Sequence, residues 1–406
     1  MAAELRIAYN DLDAHPLVRA ITDAAAHPSD EHAARQLAGA LFSLNSTVPI
    51  ALAELVLGSR GAFATLARGG VSGSDRRFGR ADAELADLGA LAHADLVGML
   101  DHHGLADAVP PEAALRMQGR PPAFLELCRH LAETADWGSS VRTLAAFYRA
   151  EGVGELATHR VLRFSHGELV GIAHPDPISP ADLIGSDHSR APLAQALAAF
   201  VRGGPANDAL LYGPPGTGKS ASVRALAAGN AEDGLRLIQV DRSDAATITA
   251  LFACLEGAGP RCLVLLDDLV FDDAQRTDRT LRAALDGDAA MRPTNVVVWA
   301  TSNRLKLMRE TRSEREDDLE SALGRGEKAA LATRFGLRVA FTELTQDRYI
   351  EIARGLVARF GGEVTDGLTP SAVRFARGGH GLTPRTARQF AVAWCAGTVR
   401  PLPAAS

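Results

Sequence analysis

The sequence predicts an α/β protein: a three-layer core of parallel strands covered by helices, closed by a C-terminal helical lid and preceded by a mainly helical N-terminal domain. Three observations predict it. Short apolar runs alternate with helical stretches between residues 181 and 343, the pattern of a parallel sheet buried under helices. A glycine-rich signature, Gly213-Pro-Pro-Gly-Thr-Gly-Lys-Ser220, stands between one of those runs and the helix after it. On both sides of this region apolar residues recur at three- and four-residue spacing, the period of an amphipathic helix.

In chain order, residues 1–157 read as helices over Leu17–Ala26, Glu31–Leu44, Ile50–Leu57, Ala81–His102, Ala123–Ala135 and Ser140–Tyr148. Residues 158–180 form a hairpin and connector. Val161, Leu162 and Phe164, then Leu169, Val170 and Ile172, flank Ser165–Gly167, and the proline-containing stretch His174–Pro180 follows. Residues 181–343 are the core. Its strands are Ala209–Tyr212, Leu235–Val240, Cys262–Leu266, Val296–Thr301 and Leu337–Phe341, with helices near 219–229, 244–256 and 275–286. The mixed-charge stretch Arg304–Asp318 reads as an exposed loop or solvated helix. Residues 344–400 return to helices, at Gln346–Phe360, Pro370–Ala376 and Pro384–Ala396, and make the lid.

Composition narrows the function classes. The chain has 406 residues, enough for two or three domains, with 47% hydrophobic and 23% charged residues, ordinary for a globular protein. A net charge of -6 gives no global attraction to DNA or anionic lipid, and no basic stripe interleaved with aromatics is visible. Met1–Pro16 is polar and no run of about 18 apolar residues occurs, so neither a signal peptide nor a membrane span is expected, and cytoplasm is the expected compartment. Cys128, Cys254, Cys262 and Cys395 form no CxxC pair and lie in apolar stretches, where buried free thiols are expected. Asp101-His102-His103 is the nearest approach to a metal site, but adjacent histidines before Gly104 read better as helix-end or surface residues.

The glycine-rich signature carries the chemistry. Gly213, Pro214, Pro215, Gly216, Thr217 and Gly218 would turn backbone N–H groups around phosphates, at the positive end of the helix that Lys219, Ser220 and Ala221 begin. Lys219 would reach the β- and γ-phosphates and Ser220 would ligate Mg²⁺. The chain has three lysines, Lys219, Lys306 and Lys328, so a lysine at this place is improbable by chance. The strand Cys262–Leu266 ends in Asp267-Asp268; Asp267 would hold Mg²⁺ through water, and Asp268 would orient or deprotonate an attacking water. The strand Val296–Thr301 leads to Asn303, which could bond the γ-phosphate or that water, with Thr301 as second choice. Arg334, before the last strand, and Arg385, at a helix start marked by Pro384, could neutralise charge developing on a transferred phosphoryl group.

Taken in this order, the residues resemble the AAA+ ATPases over roughly residues 181–398: Walker A, Walker B, sensor 1, arginine finger and sensor 2. The resemblance implies ATP and Mg²⁺ as cofactors. It also implies that Asp182-Leu183-Ile184-Gly185 packs around the adenine. Arg334 would be a finger reaching into a neighbouring subunit, and Arg385 the lid's sensor. Nucleotide-dependent homo-oligomers, hexameric rings by analogy, follow from the finger. The segments Asp182–Gly185, Asn207–Ser220, Asp267-Asp268-Leu269, Ala300–Arg304, Glu327-Lys328 with Arg334–Leu337, and Thr386–Phe390 are similar to an uncharacterised bacterial AAA+ family, domain of unknown function 815. That similarity extends to the helical N-terminal half and brings no known substrate.

One departure matters. AAA+ proteins usually carry Glu where this chain has Asp268. Asp is shorter by one methylene, about 1–1.5 Å, and a misplacement of about 1 Å can cost about 100-fold in rate. The leading expectation is a Mg²⁺-dependent ATPase acting on an unknown protein or nucleic-acid client. The alternative is a nucleotide-gated binding module with slow hydrolysis. A P-loop small-molecule kinase fits less well, because Arg334 and Arg385 suit the AAA+ pattern better. Asp241–Thr247, where a threading motor presents an aromatic pore loop, contains no aromatic residue, so threading is disfavoured.

Overall fold

The computed structural model describes residues 6–70, 75–108, 119–176, 178, 183, 187–241, 248–269, 292–303 and 334–399. The chain divides into two compact units. One comprises Met1–Arg163, Glu168–Pro175 and Cys254–Arg261; the other comprises Phe164–Gly167, Asp176–Ala253 and Cys262–Ser406.

The first unit is built from helices Pro16–Ala26, Glu31–Leu44, Val48–Leu57, Ala62–Arg68, Arg76–Ala92, Leu96–His102, Pro122–Glu133, Val141–Glu151 and Glu155–Thr158. Their apolar faces share one core, in which the Phe63 ring meets Tyr9, Phe78 and Tyr148 at 5.9, 5.2 and 6.3 Å between centroids. The expected single helix Ala81–His102 is two helices, broken at His93–Asp95, because the Asp95 carboxylate accepts the Gly98 N–H and starts a new helix. Helix Ala62–Arg68 was not anticipated. It has seven residues, too few for a periodicity to register. The cysteine expectation is corrected for two of the four. Cys128 and Cys262 are buried, their thiols pushed up to about 12 by burial, whereas Cys254 and Cys395 are exposed.

Glu84 is the charged residue this core depends on. It is 4% exposed and accepts the N–H groups of Ile7, Ala8 and Tyr9 at 2.9, 2.8 and 3.2 Å, with the Arg80 Nε at 2.6 Å. Burial by itself raises its pKa, but the bonds from Ile7, Arg80, Tyr9 and Ala8 outweigh it and hold the carboxyl below the ordinary glutamate value. Glu84→Ala is expected to cost about 3 kcal/mol of stability at neutral pH, because three backbone donors lose their acceptor. A folded pKa below the unfolded one means that this contribution is complete above the ordinary value and is lost as pH falls through the lowered one. Urea titrations at pH 7 and at a pH below that lowered value should therefore show the difference between the two proteins shrinking in acid.

Strands β1 (Val161–Ser165) and β2 (Glu168–Gly171) form the expected hairpin. His166 and Gly167 both have positive φ, 53° and 85°, as a two-residue hairpin turn requires.

The second unit holds β3 (Ala209–Tyr212), β4 (Arg236–Val240), β5 (Cys262–Leu266), β6 (Val296–Ser302) and β7 (Leu337–Ala340). The sheet order is β2-β1-β4-β5-β6-β3-β7. The ladders β4–β5, β5–β6, β6–β3 and β3–β7 are all parallel. The expected α/β class with a parallel core is what the structure shows. β5 and β6 are buried along their whole length, so their near-continuous apolar runs are the reading of strands covered on both faces. In register, Leu266 lies beside Ala300, and Tyr212 beside Ser302. The carboxyl ends of β3, β5 and β6 therefore come together at one rim of the sheet.

Helices Asp187–Val201, Lys219–Gly229 and Ile248–Leu255 belong to this region, and helices Gln346–Arg359, Leu368–Phe375 and Pro384–Cys395 share a small core of their own around Tyr349, Ile352, Val357 and Phe390. Among the described residues no single helix is long and apolar enough to cross a membrane. The expected helix near 275–286 and the stretch Arg304–Asp318 lie outside the described residues, as do Arg242–Thr247 of the disfavoured pore loop.

Candidate functional site

The signature loop spans the end of β3 and the start of helix Lys219–Gly229. Gly213, Gly216 and Gly218 have φ values of 144°, 80° and 95°, which side chains disfavour. At Gly213 space forbids one as well, since a Cβ there would lie 1.9 Å from the Phe341 carbonyl oxygen. Thr217 is buried and donates to the Pro214 carbonyl at 2.8 Å, which braces the loop from inside.

Lys219 is 5% exposed, and its Nζ donates to the carbonyl oxygens of Gly213 and Pro214, both at 2.8 Å. Burial lowers its pKa, while Asp268 and Asp267 pull the other way. Ser220 donates to Asp267 Oδ1, and Thr301 Oγ1 donates to the same oxygen at 2.7 Å. The Thr301 hydroxyl also accepts the Asp268 N–H at 2.9 Å, so it is engaged within the protein and fixes both acidic residues. Asn303 Nδ2 donates to Asp268 Oδ1 at 2.5 Å. Asp268 itself has φ 54°, the left-handed region that Asp tolerates better than most side chains. Arg224, five residues beyond Lys219, lies 3.8 Å from the other Asp267 oxygen.

These groups rim a cavity of ≈ 630 Å³, within the roughly 300–1,000 Å³ of small-molecule sites. Pro215, Gly216, Gly218, Lys219, Ser220 and Ala221 face it, with Asp267, Asp268, Thr301 and Asn303. Leu183, Ile178, Ile352 and Leu356 give it an apolar side, suited to a planar base. Asp182, Ile184 and Gly185 lie outside the described residues. Arg385 lines the cavity from the start of helix Pro384–Cys395, and its backbone N–H donates to the Gly216 carbonyl at 3.4 Å. Arg334 does not line it; it is exposed ahead of β7.

Three lining arginines escaped the sequence reading: Arg190, Arg224 and Arg388. Arg388 follows Arg385 by three residues and Arg224 follows Ser220 by four, so helical spacing carried a signal for both. Arg190 had none. It sits on helix Asp187–Val201, buried, paired with Asp187, which also meets Arg348 Nη2 at 3.2 Å. Nothing in the pattern around Pro192 marked that helix.

The residues fit the implied groups. Lys219, Arg190, Arg224, Arg385 and Arg388 supply cationic charge for a polyphosphate. Ser220 and Asp267, already in contact, are the hard oxygen donors that Mg²⁺ takes alongside phosphate and water.

The family described as "Protein of unknown function (DUF815)" matches residues 156–398, more than half of the chain. The chain belongs to that family. No curated protein matches it. Among solved structures it is similar to the Thermotoga maritima RuvB Holliday junction branch migration motor, at 22% identity over 53% of this chain and 63% of that one, with a TM-score of 0.38. It is also similar to the Aeropyrum pernix ORC1 protein in complex with DNA, at 19% identity over 56% and 65%, with a TM-score of 0.41. The chain spans less than two thirds of either.

Proposed function

We propose that this protein is a Mg²⁺-dependent ATPase whose cycle of binding and hydrolysis changes its shape and acts on a macromolecular client. One observation supports it above the others: Ser220, Asp267, Thr301, Asp268 and Asn303, drawn from three separate segments, form one continuous hydrogen-bonded chain beside Lys219. Lys219 and the loop's N–H groups hold the phosphates. Ser220 and Asp267 would hold the cation, which would supply charge neutralisation for the phosphates. Asp268, oriented by Asn303, takes the proton of the attacking water. Arg385 brings the lid helices to the loop, so that phosphate release is felt by residues 344–400.

Asp268 also favours a second reading, a nucleotide-gated binding module with hydrolysis as a slow timer. Its carboxylate is short and already bonded to Asn303. Phosphate-release assays with ATP and Mg²⁺ separate the two. Turnover near the usual enzyme range of about 1–10³ s⁻¹, abolished by EDTA and by Asp267→Ala, supports the ATPase; tight ATP binding with turnover below about 0.01 s⁻¹ supports the module. Neither binding nor hydrolysis would sink both.

A further inference from the structure

The first unit contains a second cavity, of ≈ 350 Å³, with charged groups in its wall. That volume lies near the lower end of the roughly 300–1,000 Å³ of small-molecule sites, a size that suits a small metabolite. Three carboxylates line it, and two of them are fully engaged. Asp11 accepts the Ser59 hydroxyl at 2.9 Å and the Arg60 N–H at 2.7 Å. Glu155 pairs with His159 Nδ1 at 3.0 Å and accepts the Gly171 N–H at 3.2 Å.

The third, Glu54, is different. Its side chain is 26% exposed, and among the described residues its ion-pair partner is Arg120 Nη2, at 3.8 Å. A charge-assisted hydrogen bond closes to about 2.7–2.9 Å, so the two groups form a long ion pair that leaves room for closer partners. Arg120 Nη1 donates to the Thr158 carbonyl at 3.1 Å and approaches His159 Nε2 at 3.4 Å, and the guanidinium lies over the Phe124 ring, 4.9 Å from its centroid, while Nη2 makes only the long ion pair with Glu54. Hydrogen bonding within the protein thus leaves this cavity one anionic and one cationic valence, side by side. Leu12, Leu17, Ile50 and Leu55 supply an apolar wall beside them.

The geometry points to a binding site for a free α-amino acid with an apolar side chain, its ammonium on Glu54 and its carboxylate on Arg120. A zwitterion satisfies both charges at once, where a simple amine or a simple acid would leave one of them half-buried and unpaired. This site would make the helical unit a metabolite sensor, and it stands on its own, apart from the nucleotide cavity.

Calorimetric titration of the full chain, without nucleotide, tests it. The probes are L-leucine, L-isoleucine, L-valine, L-methionine and L-phenylalanine, followed by the two half-analogues of leucine, L-leucinamide and 4-methylpentanoate. At least one amino acid should bind in one-to-one ratio, and each half-analogue should bind at least about tenfold more weakly than leucine. Glu54→Gln, which keeps the volume, should weaken leucine by about tenfold and leave 4-methylpentanoate unchanged. No binding by any of the five at about 10 mM would overturn the proposal, as would equal binding of leucine and either half-analogue. The half-analogues act on the unaltered protein, so the test does not depend on the variant folding. Because it reads no ATP turnover, its failure leaves the ATPase proposal untouched.

Discussion

Lys219→Ala should lower ATP turnover by at least about 100-fold, the loss that follows removal of one preorganised charge-stabilising donor. Lys219 begins its helix directly after the left-handed Gly218, which places its ammonium in the bowl of the loop, where it is held by the Gly213 and Pro214 carbonyls at 2.8 Å each. Two acceptors at that distance fit a compact ammonium. A planar guanidinium presents its donors in a wide fork, so Lys219→Arg should fail nearly as badly although it keeps the charge. Truncation also frees two carbonyls of the loop, and Lys219→Met, which keeps the stem and loses the charge, separates that effect from the electrostatic one. Phosphate release and fluorescent-nucleotide binding, read with melting temperatures, check all three variants; turnover unchanged in all of them would remove Lys219 from the chemistry. The pH dependence has a definite sign. Burial lowers the Lys219 pKa, so the ammonium loses its proton at a lower pH than a free lysine, and ATP affinity should begin to fall on the alkaline side below the ordinary lysine range of about 10.4.

Much of the second unit was legible in the sequence because its signals are local. A buried parallel strand such as Cys262–Leu266 needs five apolar residues in succession, and the loop needs glycines at fixed places, so both appear as strings. Helices with a clear apolar face, such as Glu31–Leu44 and Pro384–Cys395, were legible for the same reason. What stayed hidden depends on partners distant in sequence. Glu84 reads as one more charge on an amphipathic helix, and only the fold brings the backbone of Ile7, Ala8 and Tyr9 to it. Arg190 reads as a surface residue in a helix interrupted by Pro192, and only the lid's Arg348 and their shared Asp187 show that it borders the cavity. Thr301 was legible as a polar strand end, but its double engagement with Asp267 and Asp268 required the register of β5 against β6. Glu54 and Arg120 are 66 positions apart in sequence, and no spacing rule connects them.

Arg334→Ala should lower turnover by about 10³-fold or more, as loss of an arginine finger does, with little change in ATP binding. Phe335 is buried, and a Cβ at Gly336 would meet the Asn207 side chain at 2.6 Å. Arg334 is therefore presented at the start of β7, the edge strand of the sheet, outside the cavity of its own chain. On the finger reading, a residue placed there serves ATP by reaching the site of a second copy, through a head-to-tail contact. Mixing two inactive proteins makes the test. In a random equal mixture of Arg334→Ala and Lys219→Ala, half the sites retain Lys219, and half of those face a neighbour with Arg334, so about one quarter of the unaltered activity should return. Sedimentation in ATP and Mg²⁺ must show that mixed assemblies form. Assembly without recovered activity, or full activity from a monomer, would mean that Arg334 does not act between subunits.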